Sequence, residues 1–169
     1  MTDPAPFDPI RGLRVLQEEG VRFVVVGGFA GNVRGAPLNT NDLDICYERS
    51  QENMERLVTA LRRLQAKLRV AGVDEELPFD LHWRTIESGG SFTFTTEAGE
   101  IDVLAFPSGT AGYADLIVKA ERFELGDDLA VDVVSLDDLM RMKEASGRTK
   151  DRAHLEVLEA LRQELRRRG

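Results

Sequence analysis

Thiol and imidazole chemistry is nearly absent from this chain. Among 169 residues there are one cysteine, Cys46, and two histidines, His82 and His154. A lone cysteine excludes an internal disulfide, and so sparse a Cys/His set points away from a zinc site of the usual type. Cys46 lies in the apolar run after Asp44 and reads as a small buried hydrophobe. Long apolar runs are missing too. The longest strongly apolar stretch, Phe23–Val26, is far too short to span a bilayer, and no N-terminal run resembles a signal peptide. The expectation is a cytoplasmic protein with no membrane partner. Cations are the third shortage: 22 Lys and Arg face 30 Asp and Glu, for a net charge of −8. Neutralising a nucleic-acid backbone takes clustered Lys and Arg, so no extended DNA groove is expected. A small basic pocket stays compatible with this balance.

What is present is ordinary globular material, 42% hydrophobic and 31% charged. The length suits a single domain over residues 1–169, with a core at about 8–134 and a helical segment at about 135–169. Residues 1–7 are Pro-rich and read as loose. Asp8 and Pro9 then read as an N-cap and first-turn proline of a helix that stops at Gly20. Residues 21–26 read as a buried strand, 29–34 as a short helix, and 42–47 as a second strand. Ser50 caps a helix predicted to run to about Leu68, with Met54, Leu57, Val58, Leu61 and Leu64 on its apolar face. Residues 71–88 carry little signal and suggest an irregular segment or a short strand. Residues 91–96 and 101–106 read as a hairpin, 113–125 is ambiguous between helix and strand, and 129–134 is a strand. Ser135 with Asp138 caps a helix through about Ala145, Gly147 ends it, and a last helix covers about 150–167. The pattern is that of an α/β (α+β) protein with a short mixed sheet, helices packed against it, and C-terminal helices.

One constellation carries chemistry. Thirteen residues separate Gly27-Gly28 from Asp42-Leu43-Asp44, which is matched downstream by Ile101-Asp102-Val103. Two carboxylates at i and i+2 on a strand point to one side, while Leu43 and Ile45 point to the other. A third carboxylate from a neighbouring strand completes a set of oxygen donors suited to Mg²⁺ and, through it, to phosphates. A Gly-Gly turn after a strand lets the backbone approach a triphosphate and offers it N–H donors.

These residues resemble the polymerase-β-like nucleotidyltransferase superfamily. Its pattern is an apolar residue with Gly-Gly or Gly-Ser, then Asp-apolar-Asp-apolar, then an Asp flanked by apolar residues on a later strand. Here the parts are Val26-Gly27-Gly28, Asp42-Leu43-Asp44-Ile45 and Ile101-Asp102-Val103. The segment from Val133 to Lys143, followed by Gly147 to Asp151, resembles the small bacterial nucleotidyltransferases related to abortive-infection toxins. The resemblance implies a nucleotidyltransferase fold. It also implies transfer of a nucleoside monophosphate from a nucleoside triphosphate to a hydroxyl or RNA acceptor, with two Mg²⁺ ions. Asp42 and Asp44 are implied as ligands of both metals, and Asp102 as ligand of the catalytic metal and an aid to acceptor deprotonation. Gly27 and Gly28 are implied to hold the triphosphate, with Lys143 supporting it. Arg34 and Lys150 complete the implied nucleotide-binding set. Relatives often carry a basic residue in an Arg-x-Thr-x-Asp arrangement before the Asp pair. This chain has Leu38-Asn39-Thr40-Asn41-Asp42, with Arg34 as the nearby cation. The acceptor stays open between small molecule, tRNA and protein, and a toxin–antitoxin or resistance role with an antitoxin partner is compatible.

Plainer readings stand beside these. Asp42 also reads as a turn residue, Asp102 as a solvated strand position, and Gly27-Gly28 as a simple turn. Lys143 also reads as a solvated helix residue, and Arg148 and Lys150 as residues flanking a helix start. His154 reads as a helix-surface residue, and His82-Trp83 as packing residues. Asp44 resists the plain reading: it interrupts an apolar strand, and a buried carboxylate needs a partner, a cation or a metal. Haloacid-dehalogenase-type phosphatases also open on Asp-x-Asp, but there the nucleophile ends a hydrophobic strand, whereas Asp42 begins one. A catalytically inactive protein of the same fold, acting as a regulatory or toxin–antitoxin binding partner, is the alternative function.

Overall fold

In a computed structural model, residues 4–74 and 78–169 are described. Asp8 opens α1 (Pro9–Glu18), its side chain accepting from the Arg11 N–H at 3.1 Å. The chain then enters β1 (Phe23–Val26), buried along its whole length, and passes without a loop into α2 (Gly27–Val33). After β2 (Asp42–Tyr47), Ser50 caps α3 (Gln51–Arg63) by accepting from the Asn53 N–H at 3.2 Å. There follow β3 (Lys67–Arg69), α4 (Trp83–Gly89), β4 (Phe92–Thr96) and β5 (Gly99–Leu104). A single helical turn, α5 (Tyr113–Leu116), leads to β6 (Glu121–Glu124) and β7 (Ala130–Val133). Ser135 accepts from the Asp138 N–H at 3.1 Å and so caps α6 (Leu136–Ser146), and α7 (Thr149–Arg168) closes the chain.

The strands form one seven-stranded mixed sheet in the order β3-β4-β5-β2-β1-β7-β6. At its centre β1 runs antiparallel to β2, β2 parallel to β5, and β1 parallel to β7. Alternation along β2 and β5 divides the faces. Leu43, Ile45, Ile101 and Val103 are fully buried, and the α1 backbone at Gly12 packs directly on Leu43 and Ile101. Asp42, Asp44 and Asp102 are turned the other way. Over that opposite side α2 packs against α6 and α7, with Leu158 of α7 close to Gly31 of α2. Among the described residues no helix is long and apolar enough to cross a membrane.

Three local expectations are corrected and one left open is resolved. The helix predicted to reach Leu68 ends at Arg63: Gln65 takes a left-handed φ of 53°, and residues 67–69 pair with β4 instead. Edge pairing outweighs helix propensity there. The weak segment holds a helix, α4, whose N-cap is His82, with Nδ1 accepting from the Arg84 N–H at 3.2 Å. The ambiguous 113–125 segment splits into a helical turn and an edge strand. His154 is buried at 7% exposure, packed beneath the stretch before β2, rather than on the helix surface. The expected looseness of residues 1–7 lies outside the described residues for the first three, and within the weak segment so do 75–77.

Candidate functional site

The sheet brings the three aspartates together. Parallel pairing sets Asp44 of β2 directly beside Asp102 of β5, and Asp42 lies two residues along the same face of β2. One carboxylate oxygen from each can be chosen so that all three lie within 4.8 Å of one another. The Thr40 hydroxyl donates to Asp42 Oδ1 at 3.2 Å and fixes that side chain. Asp44 Oδ1 and Asp102 Oδ1 are buried and have no hydrogen-bond partner among the described residues.

Carboxyls held this closely and partly out of water resist ionisation, and two of the three do so here. The Asp44 carboxyl is pushed up to about 8, first by burial, then by the Asp102 carboxyl alongside and the charge of Asp42, while Lys143 pulls it back. Asp42 is also raised, by burial and by Asp102, with the Thr40 hydroxyl and the charge of Lys150 opposing. Orphaned buried oxygens and disfavoured ionisation are what a carboxylate set shows when a cation is its natural counter-charge. The donor set is all oxygen and hard, so it fits Mg²⁺.

A cleft of about 470 Å³ opens on this cluster, lined by Gly27, Asp44, Asp102, Lys143 and Arg148 among others. Its cationic wall comes from the α6–α7 corner. Lys143 Nζ lies 3.2 Å from Asp151 Oδ1, and Arg148 Nε lies 2.9 Å from Asp151 Oδ2. Burial acts to raise the Asp151 carboxyl, but hydrogen bonds from Ser146, Arg148 and Lys143 hold it well below the usual carboxylate range. Asp151 is thus a fixed anion that holds two cations at the cleft wall.

The remaining residues singled out by sequence fall in different places. Gly27, with φ of +72°, lines the cleft; a side chain there would collide with Asp44, since its Cβ would lie 2.0 Å from Asp44 Oδ2. Gly28 is buried against Thr40, where a Cβ would come within 2.8 Å of the threonine Cβ. Lys150 is exposed beside the cluster, and its charge reaches Asp42 and His154. Arg34 is drawn to the opposite edge of the sheet. Its Nε donates to the Val134 carbonyl at 2.7 Å, it pairs with Glu121 at 3.0 Å, and it lies over the Phe123 ring. His82 and Trp83 serve the start of α4 and line no part of the cleft. Cys46 is buried, its thiol pushed up to about 12 by burial and then by Asp115, which suits the inert role expected of it.

Sequence reasoning missed Thr40, Arg148 and Asp151 as parts of the site. The signal for the last two was faint: an Arg-x-x-Asp spacing across the start of α7 places them one turn apart, facing each other.

No family model matches the chain, and no curated protein matches it in sequence. Solved structures do match. The lincosamide antibiotic adenylyltransferase LnuA, in its lincomycin-bound form, superposes with a TM-score of 0.62 at 11% identity. That alignment covers 94% of this chain and 99% of LnuA. TM1012 from Thermotoga maritima, provisionally described as a nucleotidyltransferase, gives 0.53 at 16% identity, covering 94% of this chain and 91% of TM1012. Identities this low speak for the fold alone: the chain shares the fold of these two nucleotidyltransferases, in keeping with the fold expected from the aspartate pattern.

Proposed function

We propose that this protein is a Mg²⁺-dependent nucleotidyltransferase that moves a nucleoside monophosphate from a nucleoside triphosphate to a hydroxyl acceptor. The observation that carries this reading is the carboxylate set of Asp42, Asp44 and Asp102, converging within 4.8 Å on a cleft whose far wall is cationic. Bound to those three side chains, Mg²⁺ supplies Lewis-acid polarisation of the α-phosphoryl group and lowers the pKa of the attacking hydroxyl.

The chain's own residues have separable tasks. Lys143 and Arg148 face the charge of the departing pyrophosphate, and Asp151 keeps both aimed into the cleft. Gly27 leaves room for the Asp44 carboxylate and lets the triphosphate approach the backbone. Thr40 sets the rotamer of Asp42. Asp102 lies on the β5 side of the cluster, where an acceptor hydroxyl would approach. In the transfer, the acceptor oxygen bonds to the α-phosphorus and the bond from that phosphorus to the bridging oxygen breaks. Pyrophosphate leaves with its electron pair, and the hydroxyl proton passes to Asp102 or to solvent. ATP is the first donor to try, in keeping with the adenylyltransferase activity named for LnuA.

Titration with each of the four ribonucleoside triphosphates, with and without Mg²⁺, tests the reading alongside Asp44→Asn. Mg²⁺-dependent binding that the variant loses supports it. Binding to no triphosphate, or binding indifferent to both the metal and the substitution, would overturn it and shift weight to an inactive, partner-binding role.

A further inference from the structure

Asp102, Leu104 and Phe106 follow one another at i, i+2 and i+4 along and just beyond β5, and all three line the cleft. The strand that supplies the third carboxylate therefore continues into an apolar ledge ending at Phe106 and Pro107. Phe106 is 63% exposed, yet its ring is held. It abuts Gly112, where φ is +86° and a Cβ would fall 2.9 Å from the ring. The Arg49 guanidinium lies 5.7 Å from its centroid. Arg49 is itself fixed, donating to the Tyr47 hydroxyl at 2.8 Å and to the Glu87 carbonyl at 2.9 Å. The loop beyond the ring is tied down as well: Thr110 donates to the Pro107 carbonyl at 2.8 Å, and Arg141 to the Gly109 carbonyl at 3.1 Å. An exposed aromatic ring on a rigid support inside a cleft is a preorganised stacking surface.

The neighbouring elements set what that surface faces. β5 carries both the ledge and Asp102, β2 carries the other two carboxylates, and β1 leads into Gly27, while Lys143 reaches the cleft from α6. Displacement at phosphorus is in line, so the acceptor enters opposite the departing pyrophosphate. The ledge runs on directly from Asp102, the carboxylate placed where the acceptor hydroxyl approaches, and so lies ready to receive the entering molecule. We propose that Leu104, Phe106 and Pro107 bind the acceptor, and that the acceptor is a small hydroxylated molecule with an apolar or aromatic face rather than a nucleic-acid end.

Two observations favour a small molecule. The whole cleft, at about 470 Å³, lies in the range of small-molecule sites. A nucleic-acid acceptor would need cations to neutralise its phosphates. The guanidinium groups flanking the ledge are already committed, Arg49 as described and Arg141 to Gly109, Asp115 and Asp138. The proposal rests on the transferase reading, because the entering side is defined by the leaving pyrophosphate.

The test uses methyl-labelled full-length protein loaded with Mg²⁺ and a non-cleavable α,β-methylene ATP. The probes are a panel of nitrophenyl glycosides, the same sugars without the aryl group, and a short single-stranded RNA with a free 3′ hydroxyl. The expected result is that aryl glycosides shift the Leu104 methyl signals and the parent sugars and RNA do not. Phe106→Ala should weaken the aryl probes by about tenfold or more, Phe106→Trp should retain them, and both should bind the nucleotide as the parent protein does. Three results would overturn the proposal: no panel member moving Leu104, the RNA moving it instead, or Phe106→Ala weakening the nucleotide itself, which would make the ledge the seat of the base. Failure of the nucleotide to bind strikes the transferase reading instead, and the aryl titration on nucleotide-free protein still reads the ledge.

Discussion

Gly27 and Asp44 compete for one volume: a Cβ on Gly27 would stand 2.0 Å from Asp44 Oδ2. The two residues face each other because Val26, just before Gly27, pairs with Asp44 across the antiparallel β1–β2 ladder. The Gly27 backbone also sits at φ +72°, where a side chain is strained by about 1–3 kcal/mol. Gly27→Ala must therefore turn the Asp44 carboxylate out of the cluster or shift the start of α2. The expected outcome is Mg²⁺ affinity lower by about tenfold or more, measured by calorimetry, together with a drop in Tm. Normal metal binding by this variant would mean that Asp44 is not needed where it stands.

Asp44→Asn should do the opposite to stability. Without a metal, the folded chain keeps three carboxylates within 4.8 Å and leaves two of their oxygens without a hydrogen-bond partner among the described residues. Replacing Asp44 by a neutral amide removes the cost of suppressing its ionisation in that buried, acidic setting. The metal-free variant should melt higher than the parent, at roughly 2–4 °C per kcal/mol gained for a chain of this size. Added Mg²⁺ should raise the parent's Tm and leave the variant's unchanged. A variant that melts lower without metal would show that the cluster is held by contacts other than a cation.

The raised Asp44 carboxyl also sets a pH dependence with a definite sign. In the unfolded chain an aspartate ionises near 3.9, whereas in the folded, metal-free chain Asp44 holds its proton up to about 8. Between those values the folded state binds more protons than the unfolded state, so metal-free stability falls as pH rises through the window. Metal binding runs the other way, since the cation displaces the proton. Mg²⁺ affinity should climb by up to about tenfold per pH unit from pH 6 towards 8 and flatten above. An affinity flat from pH 6 to 8 would show that Asp44 is already ionised in the apo protein.

Arg34 separates proximity in sequence from proximity in space. It lies eight residues before Asp42, but the turn after α2 sends its guanidinium to the Val133 and Val134 carbonyls and to Glu121. Arg34→Ala should lower stability by about 1–3 kcal/mol through the lost charged hydrogen bonds and leave the Mg²⁺-nucleotide Kd where it was. Equilibrium unfolding and a nucleotide titration on the same sample check both halves. A nucleotide affinity that falls in a fully folded variant would return Arg34 to the binding set.

Strand alternation makes the carboxylate part of the site legible in the sequence itself. Asp42 and Asp44 flank Leu43, and Asp102 sits between Ile101 and Val103, so period two alone assigns the carboxylates to one face and the aliphatic residues to the other. The caps Asp8, Ser50 and Ser135 are legible for a similar reason, because each acts within three residues of itself. Features set by distant partners stay hidden. The run after Arg63 keeps helical periodicity but is taken into the sheet by β4, and α4 starts on His82, a residue rarely found as a cap. Asp151 and the ledge at Phe106 belong to the cleft only because α6, α7 and β5 converge there, and no local pattern encodes that convergence.

Lys143 is where a phosphate ligand and a structural counter-ion are hardest to tell apart. It is buried, its Nζ lies 3.2 Å from an Asp151 carboxylate that is itself 1% exposed, and it lines the cleft beside Asp44. Lys143→Met alone leaves Asp151 buried with Arg148 as its charged partner, and breaking such a pair costs about 3–5 kcal/mol, so weaker nucleotide binding could follow from unfolding. The double variant Lys143→Met, Asp151→Asn removes both charges and should recover most of that stability. If Lys143 faces the triphosphate, the double variant is stable yet binds Mg²⁺-nucleotide at least about tenfold more weakly, with a smaller salt dependence than the parent. A stable double variant that binds like the parent would assign Lys143 to the support of Asp151, leaving Arg148 as the cation that meets the phosphates.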